Sequence, residues 1–282
     1  MCTVTWLHEE DGYHLFCNRD EELTRKPALP PRLGVRDGVR YLAPIDGDFG
    51  GTWIATNEFG VSLCLLNGGL LNGTAGPRPS VVRSRGLLLL DLVSSRSLGE
   101  VVNTVEATDL TLYASFTLAA LSPGLAAMII EWNGRQSSIR TQPESCYMLT
   151  SSSFDTDAVK RIRGEEFAQF AGANCSATRL QEFHRSHAPS RSAYSPCMHR
   201  PDAETVSFSL ISVNACRTRL THLPAAPCNL PSAPDTITER ILRPTRAQNA
   251  SVGPPKRRFG VTASPLTKSS RLEPRRCLAN EW

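Results

Sequence analysis

The chain opens on an apolar run, Cys2-Thr3-Val4-Thr5-Trp6-Leu7, that reads as a strand. The polar stretch His8-Glu9-Glu10-Asp11-Gly12 follows as a turn closed by an Asp-Gly pair, and Tyr13-His14-Leu15-Phe16-Cys17 returns as a second strand. Pairing Leu7 with Tyr13 sets Cys2 opposite Asn18. A second hairpin is expected from Thr52 to Thr56 and Val61 to Leu66 across Asn57-Glu58-Phe59-Gly60, with its return strand ending at Asn67-Gly68-Gly69. Helices are expected from about Ser80 to Val93 and Leu98 to Val105, the second opened by a capping box of Ser97 and Glu100. Strands follow at Phe116 to Leu121, Ala126 to Trp132 and Ser137 to Thr141, the last two joined by the hairpin signal Asn133-Gly134, and then at Cys146 to Thr150. Two more helices, about Thr156 to Phe170 and Ala177 to His187, precede strands at Thr205 to Val213 and Arg217 to His222. Hairpins interrupted by two helix pairs define an α+β class and suit two stacked antiparallel sheets with helices outside. The pattern alone also allows other α+β folds.

Composition narrows this picture. A chain of 282 residues buries a sizeable core as one large domain or two small ones, and a formal charge of +4 excludes nothing by itself. From about Pro224 the character changes: proline, arginine and serine dominate, and only Asp235 to Leu242 looks helical. The expected division is therefore a folded domain over 1–223 and a mostly disordered tail over 224–282. Lys256-Arg257-Arg258 and Arg275-Arg276 read as solvated, and without interleaved aromatics they give no reason to expect nucleic acid. No apolar run is long enough for a transmembrane segment. The first one is short and lacks a basic leader, so no secretory signal is expected. The nine cysteines show no Cys-x-x-Cys pair, which points to reduced thiols and a cytoplasmic location.

Cys2 carries the candidate chemistry. Removal of Met1 would leave it as an N-terminus whose α-amine, with an ordinary pKa near 8, acts as a base for its own thiol. The run Asn18-Arg19-Asp20-Glu21 lies beside it in the expected hairpin. There an arginine would favour thiolate, and an acid could orient the amine or a substrate nitrogen. A solvated strand end holding an Arg–Asp pair accounts for the same residues.

Taken together, Cys2, Asn18-Arg19-Asp20-Glu21, Gly50-Gly51-Thr52-Trp53-Ile54-Ala55 with Asn57-Glu58-Phe59-Gly60, and Ser84-Arg85-Gly86 resemble the NRDE family, relatives of the Transport and Golgi Organization protein 2. That resemblance implies the N-terminal-nucleophile (Ntn) hydrolase fold and selects, among α+β folds, a four-layer α-β-β-α sandwich of two mainly antiparallel sheets. It also implies that Asn67 donates its amide to an oxyanion, as an asparagine at a similar strand end does in related amidases. A turn asparagine before Gly68 and Gly69 is the alternative, and those glycines either let a ligand approach the backbone or only make the turn. Arg200 is the substitute for an arginine that the family carries before its penultimate strand, although the spacing differs. Where family members carry Ser-Asn, this chain has Ser151-Ser152-Ser153.

Two functions follow from the resemblance. One is a cysteine amidohydrolase or acyltransferase using Cys2, Arg19, Asp20 and Asn67, with Asn18, Gly68, Gly69 and Arg200 at the substrate. The other is a binding or trafficking protein for a lipid, acyl-thioester or haem ligand. In both the partner is a small acyl or amide molecule, and no cofactor is expected. His184, His187, Cys197 and His199 are metal-ligand types at short spacings, but the usual paired spacing is absent and no metal is expected.

Overall fold

The computed structural model describes residues 2–68, 83–172, 174–232 and 237–245. Gly69, the start of the helix expected from Ser80, and the chain past Thr245 lie outside them. The first sheet is built from β1 (Cys2–Glu9), β2 (Gly12–Glu22), β10 (Cys146–Ser151), β11 (Ala203–Asn214), β12 (Thr218–Leu223) and β13 (Thr238–Leu242), in the order β10-β1-β2-β11-β12-β13. The second runs β3 (Leu29–Arg36), β4 (Val39–Ile45), β5 (Ile54–Asn57), β6 (Ser62–Asn67), β7 (Phe116–Leu121), β8 (Ala127–Trp132) and β9 (Ser137–Gln142), in chain order. All the pairings in both sheets are antiparallel. Helices α1 (Arg85–Leu92) and α2 (Leu98–Ala107) are followed in the chain by α3 (Thr156–Ala171) and α4 (Ala177–Arg185).

Strand alternation creates three apolar layers from these elements. Cys2, Val4, Trp6, Tyr13, Leu15 and Cys17 face Ile54, Cys64, Leu66, Leu121 and Ile129 between the sheets. The opposite face of the second sheet, with Leu63, Leu65, Leu118 and Trp132, packs on Leu88, Leu92, Val101 and Val105 of α1 and α2. The outer face of the first sheet, with Leu7, Phe16 and Phe208, packs on Leu180 of α4 and Phe167 of α3. The result is the α-β-β-α sandwich. Among the described residues no helix is long and apolar enough to cross a membrane.

Several expectations are corrected. The first hairpin pairs Glu9 with Gly12 and Cys2 with Arg19, one residue off the expected register. The cause is Gly12, which belongs to the strand: a Cβ there would sit 1.8 Å from the Val213 carbonyl oxygen, so glycine is required for β11 to pair alongside. The turn is therefore Glu10-Asp11. Strands β3 and β4 fall in a stretch to which the sequence assigns no element; β3 tolerates Pro30 and Pro31 as an edge strand with a register shift between Leu29 and Arg32. Of Asp235 to Leu242, expected as a helix within a tail, Thr238–Leu242 instead form β13 along β12, Asp235 and Thr236 lie outside the described residues, and Leu242 is buried between the sheets. The compact unit extends to Thr245, so ordered structure runs past the expected boundary at 223. Cys146 and Cys175 form a disulfide, a departure from uniformly reduced thiols. The capping box holds in part: Ser97 Oγ accepts from the Glu100 amide, while the Glu100 carboxylate accepts from Arg96 rather than Ser97.

Candidate active site

Cys2 ends β1 at the mouth of a cleft of about 490 Å³ between the sheets. Arg19, Glu21, Trp53, Asn67 and Arg85 share its lining. The cleft exists because two of the sequence motifs pack together. Gly51 lies so close to Gly86 that a Cβ on Gly51 would come within 2.5 Å of the Gly86 carbonyl carbon, and the Thr52 amide donates to the Gly86 carbonyl at 3.1 Å. That contact aligns the loop before β5 with the first turn of α1, and Trp53 and Arg85 face the same space. Asn67, the last residue of β6, also borders a neighbouring cavity of about 460 Å³ whose lining includes Asp20, Glu22, Asp155 and Asp157.

The Cys2 nitrogen donates to Ser151 Oγ at 3.2 Å, because Cys2 and Ser151 are direct partners in the β1–β10 ladder. No local signal in the chain announces this contact: the serine takes part only because β10 returns beside β1. The Cys2 thiol lies against that of Cys17, which in turn meets Cys64. The Cys17 contact, followed by burial, pushes the Cys2 thiol well above its ordinary value. The expected thiolate-favouring arginine is engaged elsewhere. Arg19 donates to Asp46 Oδ2 at 2.6 Å, lies 3.3 Å from Glu21 Oε1, and stacks over Trp53 at 4.5 Å. Its charge is thus balanced by two carboxylates. Arg85 differs: it donates to the Ser115 carbonyl at 2.8 Å, and among the described residues it makes no ion pair.

Register decides where the remaining residues go. Asn18 and Asp20 point to the helix side of β2, away from Arg19. Asn18 is fully buried and donates to the carbonyls of His184 and Pro196, both at 2.9 Å; it does not line the Cys2 cleft. Asp20 accepts from Thr205 Oγ1 at 2.7 Å and lies 3.4 Å from the guanidinium of Arg163, which is itself 1% exposed. Arg163 also donates to Thr3 Oγ1 and Thr150 Oγ1, joining β1, β10 and α3. Arg163 is invisible to sequence reading, since only the fold brings it 143 residues back to Asp20. Gly68 lines the neighbouring cavity beside Asn67; its amide donates to the Ser115 carbonyl, and a Cβ would come within 2.7 Å of the start of β7. Arg200 lies elsewhere, paired with Asp202 and stacked over Phe154 at 5.2 Å, and the structure does not bring it to the Cys2 cleft.

Two antiparallel sheets stacked in this order between helices give the chain an Ntn-hydrolase-like fold. The chain is similar to the Caenorhabditis elegans ortholog of N-acylethanolamine-hydrolyzing acid amidase (12% identity, 86% of this chain and 100% of that one, TM-score 0.54). It is also similar to penicillin V acylase from Agrobacterium tumefaciens (11% identity, 80% and 83%, TM-score 0.51). The C2A mutant of conjugated bile acid hydrolase from Clostridium perfringens is a third such structure (12% identity, 88% and 97%, TM-score 0.50). At these identities the likeness establishes the fold. No curated protein matches the chain. The profile of the Transport and Golgi organisation 2 family matches residues 1–212, and the chain belongs to that family.

Proposed function

We propose that this protein is a cysteine amidohydrolase or acyltransferase that works through Cys2 once Met1 has been removed. The observation that carries the reading is the placement of Cys2: it lines the cleft that Asn67 also lines, and its nitrogen is held by Ser151 Oγ. A thiol pushed up by burial and by Cys17 needs a base at contact distance, and the freed α-amine is one. Cys2 Sγ bonds to the substrate carbonyl carbon as its proton passes to the amine. The resulting oxyanion takes the Asn67 amide, and the ammonium returns its proton to the departing amine as the C–N bond breaks. A water deprotonated by the same amine then cleaves the thioester, or a second nucleophile takes the acyl group.

Arg19 and Asp20 act as positioning residues in this scheme, Arg19 through Asp46 and Trp53, Asp20 through Arg163 and Thr205. Arg85, half-withdrawn into the cleft and without a carboxylate partner among the described residues, suits an acyl substrate with an anionic group. The likeness to penicillin V acylase and to the acid amidase, proteins named for amide cleavage, agrees with a C–N amide substrate.

One observation favours the second reading, a protein that binds an acyl, lipid or haem ligand without turnover: contact with Cys17 and burial push the Cys2 thiol well up, which disfavours the nucleophilic thiolate. The experiment that separates the two is intact-mass analysis of wild-type and Cys2→Ala protein after incubation with a panel of acyl amides. An acyl adduct on wild-type protein that disappears in a folded Cys2→Ala variant is the expected result. Ligand binding without any adduct would favour the second reading.

A further inference from the structure

Outside the cleft, four side chains from two separate stretches converge on one point. His187 follows α4, Cys197 and His199 lie in the loop leading to β11, and Cys228 sits in the 3-10 turn Pro227–Ser232 after β12. One ligand atom from each lies within 4.8 Å of all the others. His199 Nε2 is 3.5 Å from Cys197 Sγ and 3.7 Å from Cys228 Sγ. With Zn–S bonds of about 2.3 Å and Zn–N bonds of about 2.0 Å, the edges of a tetrahedron are about 3.5 Å. The spacing of these atoms is therefore that of a ligand cage, and it is achieved by residues 41 positions apart in the chain (His187 to Cys228).

Two further observations point to an ion. His187 Nε2 is shielded from solvent and has no hydrogen-bond partner among the described residues, which costs free energy unless something binds it. On the far side of the other ring, His199 Nδ1 faces Glu204 Oε2 at 3.6 Å and Arg191 Nη2 at 3.3 Å. A carboxylate behind a ligating imidazole is the usual arrangement that fixes which nitrogen meets the metal. His184, which the sequence groups with these residues, is instead packed in the core with its Nε2 on Thr5 Oγ1 at 2.9 Å. Cys228, from the stretch read as tail, takes its place.

We propose that His187, Cys197, His199 and Cys228 form a closed site of two cysteines and two histidines for a zinc ion. Two thiolates balance the charge of the dication, and four protein ligands leave no open position, so the site is structural rather than catalytic. Its consequence for the fold is specific. The loop it clasps supplies the Pro196 carbonyl that holds Asn18, and the Met198 amide donates to Thr205 Oγ1, which donates to Asp20. Zinc at this site would fasten the 3-10 turn after β12 to the loop that fixes two residues of β2.

The test uses the full chain purified without chelator and analysed for metal by mass spectrometry. The expected result is one zinc per chain. The metal-free protein titrated with Co²⁺ should develop thiolate-to-cobalt charge-transfer absorption and tetrahedral visible bands, and the Cys228→Ser and His187→Ala variants should lose them while Cys17→Ser keeps them. A protein that takes up neither ion, or one whose cobalt spectrum survives in the Cys197→Ser, Cys228→Ser double variant, would overturn the proposal. If the variants fail to fold, alkylation of the wild-type chain decides: added Zn²⁺ should protect Cys197 and Cys228, and unchanged labelling of both would count against the site.

Discussion

On the helix side of β2, Asn18 and Asp20 are fully buried and their hydrogen bonds reach α4, the loop before β11 and Arg163 of α3. On the cleft side, Arg19 and Glu21 stand beside Cys2, and their charges are knitted into a surface network with Arg25, Asp46 and Asp48. Four consecutive polar residues therefore do two kinds of work, divided by the two-residue period of a strand. The inner pair ties the first sheet to the helices and the loop that cover it. The outer pair shapes the opening onto the thiol. A run that looks like one constellation in the sequence is two, and substitutions on either side should fail differently.

The largest expected effect is on the helix side. Arg163→Met takes the buried guanidinium away from Asp20, Thr3 and Thr150 together, which should cost about 3–5 kcal/mol of stability, read as a lower denaturation midpoint in urea. Unchanged stability would mean that the buried pair does not hold the layers together. On the cleft side, Asn67→Ala should lower the rate of acyl transfer about 10²–10³-fold, equivalent to ~3–4 kcal/mol, with little change in the midpoint. The contrast between these two variants is the sharpest test of the division. Asn18→Ala comes next: it removes both donors to the His184 and Pro196 carbonyls, and a loss of about 1–3 kcal/mol in stability should precede any change in kcat.

A further effect is a pH dependence of stability. Burial pushes His184 down to about 3 and His222 down to about 4. Each stays neutral in the fold at pH values where the unfolded chain, with an ordinary value near 6.5, takes up a proton. Stability is therefore full above about pH 6.5 and falls as the pH drops towards about 4, by up to ~1.4 kcal/mol per unit for each histidine. Thermal melts between pH 7 and 4.5 should show this slope, and His184→Gln should flatten it. A slope of opposite sign would mean that these rings are charged in the fold.

The hairpins and both helix pairs are legible in the sequence because strand alternation and helix caps are local. Sequence reading misleads wherever a distant strand sets the outcome. Gly12 looks like a turn residue, yet β11 demands glycine there, and the one-residue error that follows moves Asn18 to the wrong face of the sheet. Cys2 and Asn67 can be found because each ends a strand at the cleft. Ser151 and Arg163 cannot, because their partners are more than 140 residues away in the chain. Arg85 belongs to a visible motif, and only the packing of Gly51 on Gly86 shows that it faces the cleft. Cys228 is hidden in a stretch whose composition reads as tail.

The measurement that bears most directly on the proposed chemistry is alkylation of the purified protein with a limiting thiol reagent at neutral pH, followed by peptide mapping. It reports the N-terminus and the order of thiol reactivity together. A chain beginning at Cys2, with that residue labelled well ahead of Cys17, Cys64, Cys197 and Cys228, is the result the amine-activated nucleophile requires. A chain that retains Met1, or a Cys2 no faster than the buried thiols, would contradict it.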